Sequence, residues 1–297
     1  MRRSLLVVAL GLVALLGAAD AGAQATRAGA VDLALILAVD ISPSVDAREG
    51  ALQREGHVAA FRNPKVIKAI QNGRNGRIAV TYVEWSGPSQ WRIVADWRVV
   101  AGADDALALA DQLDRVSVGR GSGTSITSML GFASSLFVAT GVAAERKVID
   151  VSGDGPNSAG GIINATRDAL VREGVTINGL PILTDDGGYY NLPDLDVYYE
   201  ECVIGGPRAF VIAADGFEAF ADAILRKLIL EIADASPPVP RLIPAQAIGP
   251  LLGGPKANAR YAPDCDIGEK LRYLDNPTII PEGLRVPLGT YPTLPLR

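Results

Sequence analysis

The sequence predicts a three-layer, doubly wound α/β fold: a mostly parallel sheet with one antiparallel edge hairpin, helices on both faces, and an irregular C-terminal extension. Three observations predict it. Between about Val31 and Ala235, short apolar runs alternate with longer helix-like stretches, the rhythm of a parallel sheet wound by crossover helices. The run Leu-Ala-Leu-Ile-Leu-Ala-Val at 33–39 has no polar alternation, as expected of a strand covered on both faces. The chain has 297 residues, 48% of them hydrophobic, which is ample for a packed core.

The elements follow in order. After strand 33–39, a helix runs from Asp46 through Ala60, and Asn63-Pro64 interrupts it before a second piece ending near Asn72 and Gly73. Residues 77–85 and 90–97 are strands joined by Ser86-Gly87-Pro88-Ser89, a link short enough only for an antiparallel hairpin. Trp85, Trp91 and Trp97 read as packing residues of that hairpin. Helices at 104–115 and 126–140, a strand at 147–151, a helix at 159–173, strands at 175–181 and 209–213, and a helix at 216–233 complete the alternation. The acidic, Gly- and Tyr-rich stretch 184–201 reads as an insertion loop. Its Tyr189, Tyr190, Tyr198 and Tyr199 are candidates for contact with a partner. From Ser236 onward fall 12 of the 19 prolines, a density incompatible with a continuous helix or a central strand.

The first 25 residues stand apart. Arg2 and Arg3 precede an uncharged apolar run at 5–19, with small-residue cleavage sites at 21–23 or 23–25: a secretory signal peptide. The run is shorter than the roughly 20 residues of a bilayer span. The expected division is therefore 1–25 signal peptide, 26–30 linker, 31–235 folded domain and 236–297 extension. The protein is expected to be bacterial, periplasmic or secreted, with no membrane span in its mature form. In an oxidising compartment Cys202 and Cys265, the two cysteines of the chain, can close into a disulfide. The other reading makes Cys202 a small buried residue and leaves Cys265 free in the tail. A net charge of -5 argues against a general affinity for nucleic acid or anionic lipid, and favours a protein partner.

Chemistry concentrates at three loops. Strand 33–39 ends in Asp40-Ile41-Ser42-Pro43-Ser44, which places a carboxylate and two hydroxyls at the carboxyl end of a central strand, where ligands sit in open parallel sheets. The strand ending Asp150-Val151 runs into Ser152-Gly153-Asp154-Gly155 and delivers a second carboxylate to that rim. The glycine-rich run 119–123 presents Thr124 just before a helix. Oxygen ligands alone, with two carboxylates to offset a +2 charge, suit a hard octahedral cation, Mg²⁺ or Mn²⁺; neutral hydroxyls leave it open to one more oxygen, such as a partner's carboxylate. Taken singly, each residue has a plainer role: Ser42, Ser44 and Thr124 as helix caps, the aspartates as turn residues.

Asp40-x-Ser42-x-Ser44, Thr124 in Gly-Thr-Ser, and the Asp154-Gly155 turn resemble the metal-ion-dependent adhesion site of von Willebrand factor A (vWA) domains in type, order and spacing. The resemblance spans about 31–235 and points to a bacterial exported branch of that superfamily, through the runs at 77–85, 148–155 and 203–207. It implies a Rossmann-like vWA fold and a cation held by Asp40, Ser42, Ser44, Thr124 and Asp154, with the hydroxyls in direct contact. It also implies metal-dependent binding of a protein that presents an acidic residue. Ser152-Gly153 stands where many members place Thr directly before the aspartate. A metal-independent scaffold in an envelope complex is the alternative. Hydrolysis is disfavoured: the single histidine, His57, lies far down the first helix, and no Gly-x-Ser-x-Gly elbow is present.

Overall fold

The computed structural model describes residues 29–184, 192, 194–235 and 264–275. The expected signal peptide, Tyr189 and Tyr190 lie outside the described residues. Six strands, β1 (Val31–Asp40), β2 (Ile78–Trp85), β3 (Trp91–Val100), β4 (Ala144–Gly153), β5 (Val175–Leu183) and β6 (Ala214–Asp215), form a sheet in the order β3-β2-β1-β4-β5-β6. The pairing is parallel throughout except between β2 and β3. The helices are α1 (Ala47–Arg62), α2 (Pro64–Gln71), α3 (Ala103–Arg115), α4 (Ile126–Ala139), α5 (Ile163–Arg172), α6 (Leu195–Tyr198), α7 (Phe220–Ile232) and α8 (Ile267–Asp275).

All ten residues of β1 are buried. Because side chains alternate across a strand, Leu33, Leu35, Leu37 and Val39 join a core with Phe61 of α1, Ile70 of α2, Leu113 of α3 and Leu228 of α7. Ala34, Ile36 and Ala38 face the other layer, with Leu130 of α4, Leu170 of α5 and Tyr198 of α6. Asn63-Pro64 separates α1 from α2 as the sequence suggests: Asn63 closes α1 and its side chain accepts from Lys65 N, with proline in the first turn of α2. At the hairpin, Ser86 N donates to Gln90 O and Trp85 faces Trp91 across the ladder.

Three expectations are corrected. Residues 209–213 do not form the last strand; the β5 ladder reaches its neighbour at Ala214–Asp215, with one isolated bridge between Gly179 and Val211. The Asn178 side chain takes the Phe210 N–H at 3.0 Å, a donor that a regular ladder would have used. Second, the stretch around 194–203 is not a loop on the surface. Leu195, Tyr198, Tyr199, Cys202 and Val203 recur at helical spacing and sink into the core as α6 and a π-helical turn, Tyr199–Val203. Third, the extension is not wholly irregular. Residues 267–275 fall between Pro263 and Pro277, carry no proline themselves, and form α8. A disulfide, Cys202–Cys265, with Cα atoms 5.4 Å apart, joins this segment to the domain. Among the described residues no helix is long and apolar enough to cross a membrane.

Candidate metal site

The sheet order reverses direction between β1 and β4: from β1 the chain moves outward to β2, and from β4 outward to β5. A doubly wound sheet opens a crevice at the carboxyl ends of two such strands. With Val39 opposite Ser152, Asp40 and the Gly153-Asp154 turn emerge side by side at this point. Asp40 Oδ1 accepts from Ser42 N at 2.7 Å, which curls the loop back on its own carboxylate. Ser42 Oγ lies 3.0 Å from Ser44 Oγ, and Ser44 Oγ donates to Asp154 Oδ1 at 2.8 Å. Thr124 lines the same cleft as Ser44 and Asp154.

The third loop is seated by close backbone approach. Gly121 N donates to Ile41 O, and a Cβ on Gly121 would fall 1.9 Å from Ser86 Oγ, so only glycine fits. Gly119 N donates to Glu84 Oε2, a carboxylate pinned by Arg54 and Arg92. Ser158 N and Oγ both donate to Thr124 O, which ties the Thr124 loop to the Asp154 loop. The plainer roles fall to other residues. Asp46 caps α1 in a reciprocal capping box with Glu49, and Ser125 caps α4, so Ser42, Ser44 and Thr124 keep their hydroxyls for something else.

Two carboxylates dominate the electrostatics. Asp40 is fully buried and Asp154 nearly so. Asp40 Oδ2 has no hydrogen-bond partner among the described residues. Burial, then the Asp154 charge, pushes the Asp40 carboxyl well above its ordinary range. These residues fit a hard cation. It would engage the orphaned Oδ2 and neutralise the repulsion, and adjacent ligands of an octahedral ion at about 2.1 Å lie about 3 Å from each other, close to the Ser42–Ser44 and Ser44–Asp154 spacings. Among the described residues no three His, Cys, Asp or Glu side chains gather as a metal cluster, so a cation here depends on the hydroxyls.

Sequence reasoning missed the surrounding supports. Gln53 of α1 donates to Asp40 O at 3.1 Å. A Cβ on Gly153 would lie 2.9 Å from both Asp40 Oδ2 and Tyr199 Oη, so the Ser152-Gly153 sequence makes room for a buried tyrosine that packs behind the carboxylate. Asn157 Oδ1 accepts from Thr127 N, fixing the first turn of α4 to the Asp154 loop. Tyr198 and Tyr199 are wholly buried, so the expectation that they touch a partner is wrong: their rings fill the core beneath the site. The helical spacing of 195, 198, 199, 202 and 203 was the available signal. Nothing in the sequence ties Arg272 to Asp154, yet Arg272 lines the cleft. His57 lies in the core, its Nδ1 2.9 Å from Gln53 O and its ring edge-on to Tyr82; burial lowers its pKa to about 3.

Residues 30–236 match a family described as "Protein of unknown function (DUF1194)". No curated protein matches the chain. Among solved structures, the pilus adhesin SpaC from Lactobacillus rhamnosus GG aligns with a TM-score of 0.51 at 16% identity, over 68% of this chain and 31% of that one. A von Willebrand factor type A protein from Catenulispora acidiphila aligns at 0.44 and 15%, over 68% and 43%. Proximal thread matrix protein 1 from the mussel byssus, with a zinc-occupied MIDAS motif, aligns at 0.47 and 15%, over 68% and 46%. The chain thus spans less than half the length of each, and what it shares with SpaC is a vWA-like α/β fold.

Proposed function

The chain belongs to the DUF1194 family, and on that footing we propose that it is an exported, metal-dependent protein-binding module. In this reading Asp40, Ser42, Ser44, Thr124 and Asp154 hold Mg²⁺ or Mn²⁺, and an acidic side chain of the partner completes the coordination. The observation that carries it is Asp40 Oδ2, a buried oxygen without a hydrogen-bond partner among the described residues, set beside Asp154 and the Ser42 and Ser44 hydroxyls. An unpaired charge or lone pair in the interior is costly unless something binds there. SpaC, a pilus adhesin, uses the same fold, which supports a role in adhesion or complex assembly. The Cys202–Cys265 bond supports export, because such bonds persist in oxidising compartments. A binding role is favoured over hydrolysis because His57, with its lowered pKa, is locked in the core and offers the site no general base.

Titration calorimetry tests the assignment. The protein should bind Mg²⁺ and Mn²⁺ at one site, and Asp40→Ala should abolish the heat. Unchanged binding by that variant would remove the site from these residues.

A further inference from the structure

The cleft over Ser44, Thr124 and Asp154, about 280 Å³, has one wall that the sheet does not supply: Arg272 of α8 lines it together with Pro43 and Pro156. This helix is built onto the rim. The disulfide anchors the segment at Cys265, and Glu269 Oε1 accepts from Asn157 Nδ2 at 2.5 Å. The backbone of Gly268 lies so close that a Cβ there would meet Asn157 O at 2.1 Å. Asn157 is also the residue that accepts from Thr127 N, so α8 is coupled to both the Thr124 and the Asp154 loops. The two cationic side chains of α8 differ. Lys270 is occupied by Asp264 and Asp266, at 2.9 and 2.8 Å. Arg272 is exposed and forms no ion pair among the described residues.

A guanidinium beside a divalent cation is repelled by it unless an anion lies between them. A cleft with a cation at its floor and an unpaired arginine in its wall therefore favours a ligand with two negative oxygens over a neutral oxygen donor. Arginine's planar fork matches a carboxylate in a way that no hydroxyl or amide does. We propose that Arg272 is the specificity-determining residue of this site: it takes one oxygen of a partner's carboxylate while the metal takes the other. The proposal rests on the metal-site reading above and adds a residue from outside the five-ligand set. It also gives the C-terminal segment a role, as the second wall of the binding cleft.

The test uses the full chain loaded with Mn²⁺ and acetate as the probe, with acetamide as the neutral control. Free Mn²⁺ is followed by its electron paramagnetic resonance signal, and acetate binding by the loss of water-proton relaxation as a metal-bound water is displaced. Arg272→Ala should weaken acetate about tenfold and leave acetamide unchanged, with Arg272→Lys in between. Mn²⁺ affinity in Arg272→Ala should be equal or higher, because a neighbouring cation has been removed, so lost metal cannot explain lost acetate. Arg272→Ala that holds Mn²⁺ and binds acetate as the wild type does overturns the proposal while the metal site stands. So does Mn²⁺-loaded wild type that takes no acetate. Wild type that takes no Mn²⁺ overturns the metal-site reading and this proposal with it.

Discussion

Asp150 and Glu231 meet in the core between β4 and α7, and Asp40 and Asp154 meet at the rim of β1 and β4; the two carboxylate pairs differ in what lies around them. The core pair has Lys227, fully buried, with Nζ 2.5 Å from Asp150 Oδ1 and paired with Glu231, whose other contact is Asn178 Nδ2 at 2.8 Å. Asp40 forms no ion pair with a lysine or arginine among the described residues. The rim pair has serine hydroxyls and an open cleft; unsatisfied oxygens occur in both pairs, Asp40 Oδ2 at the rim and Asp150 Oδ2 and Glu231 Oε2 in the core having no hydrogen-bond partner among the described residues. Burial of like charges is unfavourable in both places. In the core the chain resolves the conflict internally and produces structure. At the rim, in the proposed reading, a bound cation resolves it, the usual condition of a functional site.

The sharpest break of this comparison is Lys227→Met. It leaves two buried carboxylates without their cation, and removal of one partner of a buried pair costs about 3–5 kcal/mol. Denaturant unfolding should register that loss. Adding Asp150→Asn and Glu231→Gln to Lys227→Met should recover part of it, because no buried charge is then left uncompensated. A Lys227→Met protein as stable as the wild type would mean that the core pair needs no cation.

A smaller effect separates the core pair by pH. Burial, then Glu231, raises the Asp150 pKa to about 7 against the pull of Lys227. In the unfolded chain an aspartate titrates near 4. Between those values the folded protein holds the extra proton. The contribution is complete below about pH 4 and is lost as pH rises through 7, at up to about 1.4 kcal/mol per pH unit. Asp150→Asn cannot titrate, so its unfolding free energy should decline less over that window. An identical decline in both proteins would assign the proton elsewhere.

How much of this could be read from the sequence follows from how local each feature is. β1 is legible because seven apolar residues in a row at 33–39 admit few other placements, and the candidate positions Asp40, Ser42, Ser44 and Asp154 because they follow the ends of strands, whereas Thr124 precedes a helix. The antiparallel hairpin is legible because four residues cannot carry a crossover. The Tyr198-Tyr199 segment was misread because its acidic, glycine-rich flank hid a helical repeat. Only the observed burial of Tyr199 behind Asp40 explains why residue 153 must be glycine. Arg272 could not be read at all: its place depends on a disulfide partner and on the fit of Gly268 against Asn157, both distant in the chain.

The smallest effect has the opposite sign and discriminates best. Asp40→Asn keeps an acceptor for Ser42 N and removes one of two repelling charges from a buried place. The metal-free protein, unfolded by denaturant in EDTA, should therefore gain about 1 kcal/mol, the size of gain common when a functional charge is sacrificed. The same variant should lose the stabilisation that saturating Mn²⁺ gives the wild type, since a ligand stabilises only the state that binds it. Neutralising a charge in the core pair by removing Lys227 destabilises; neutralising one at the rim should stabilise, at the expense of binding. If Asp40→Asn instead loses stability in EDTA, Asp40 is a structural carboxylate like Asp150, with its charge already balanced inside the fold, and the contrast between the two pairs disappears.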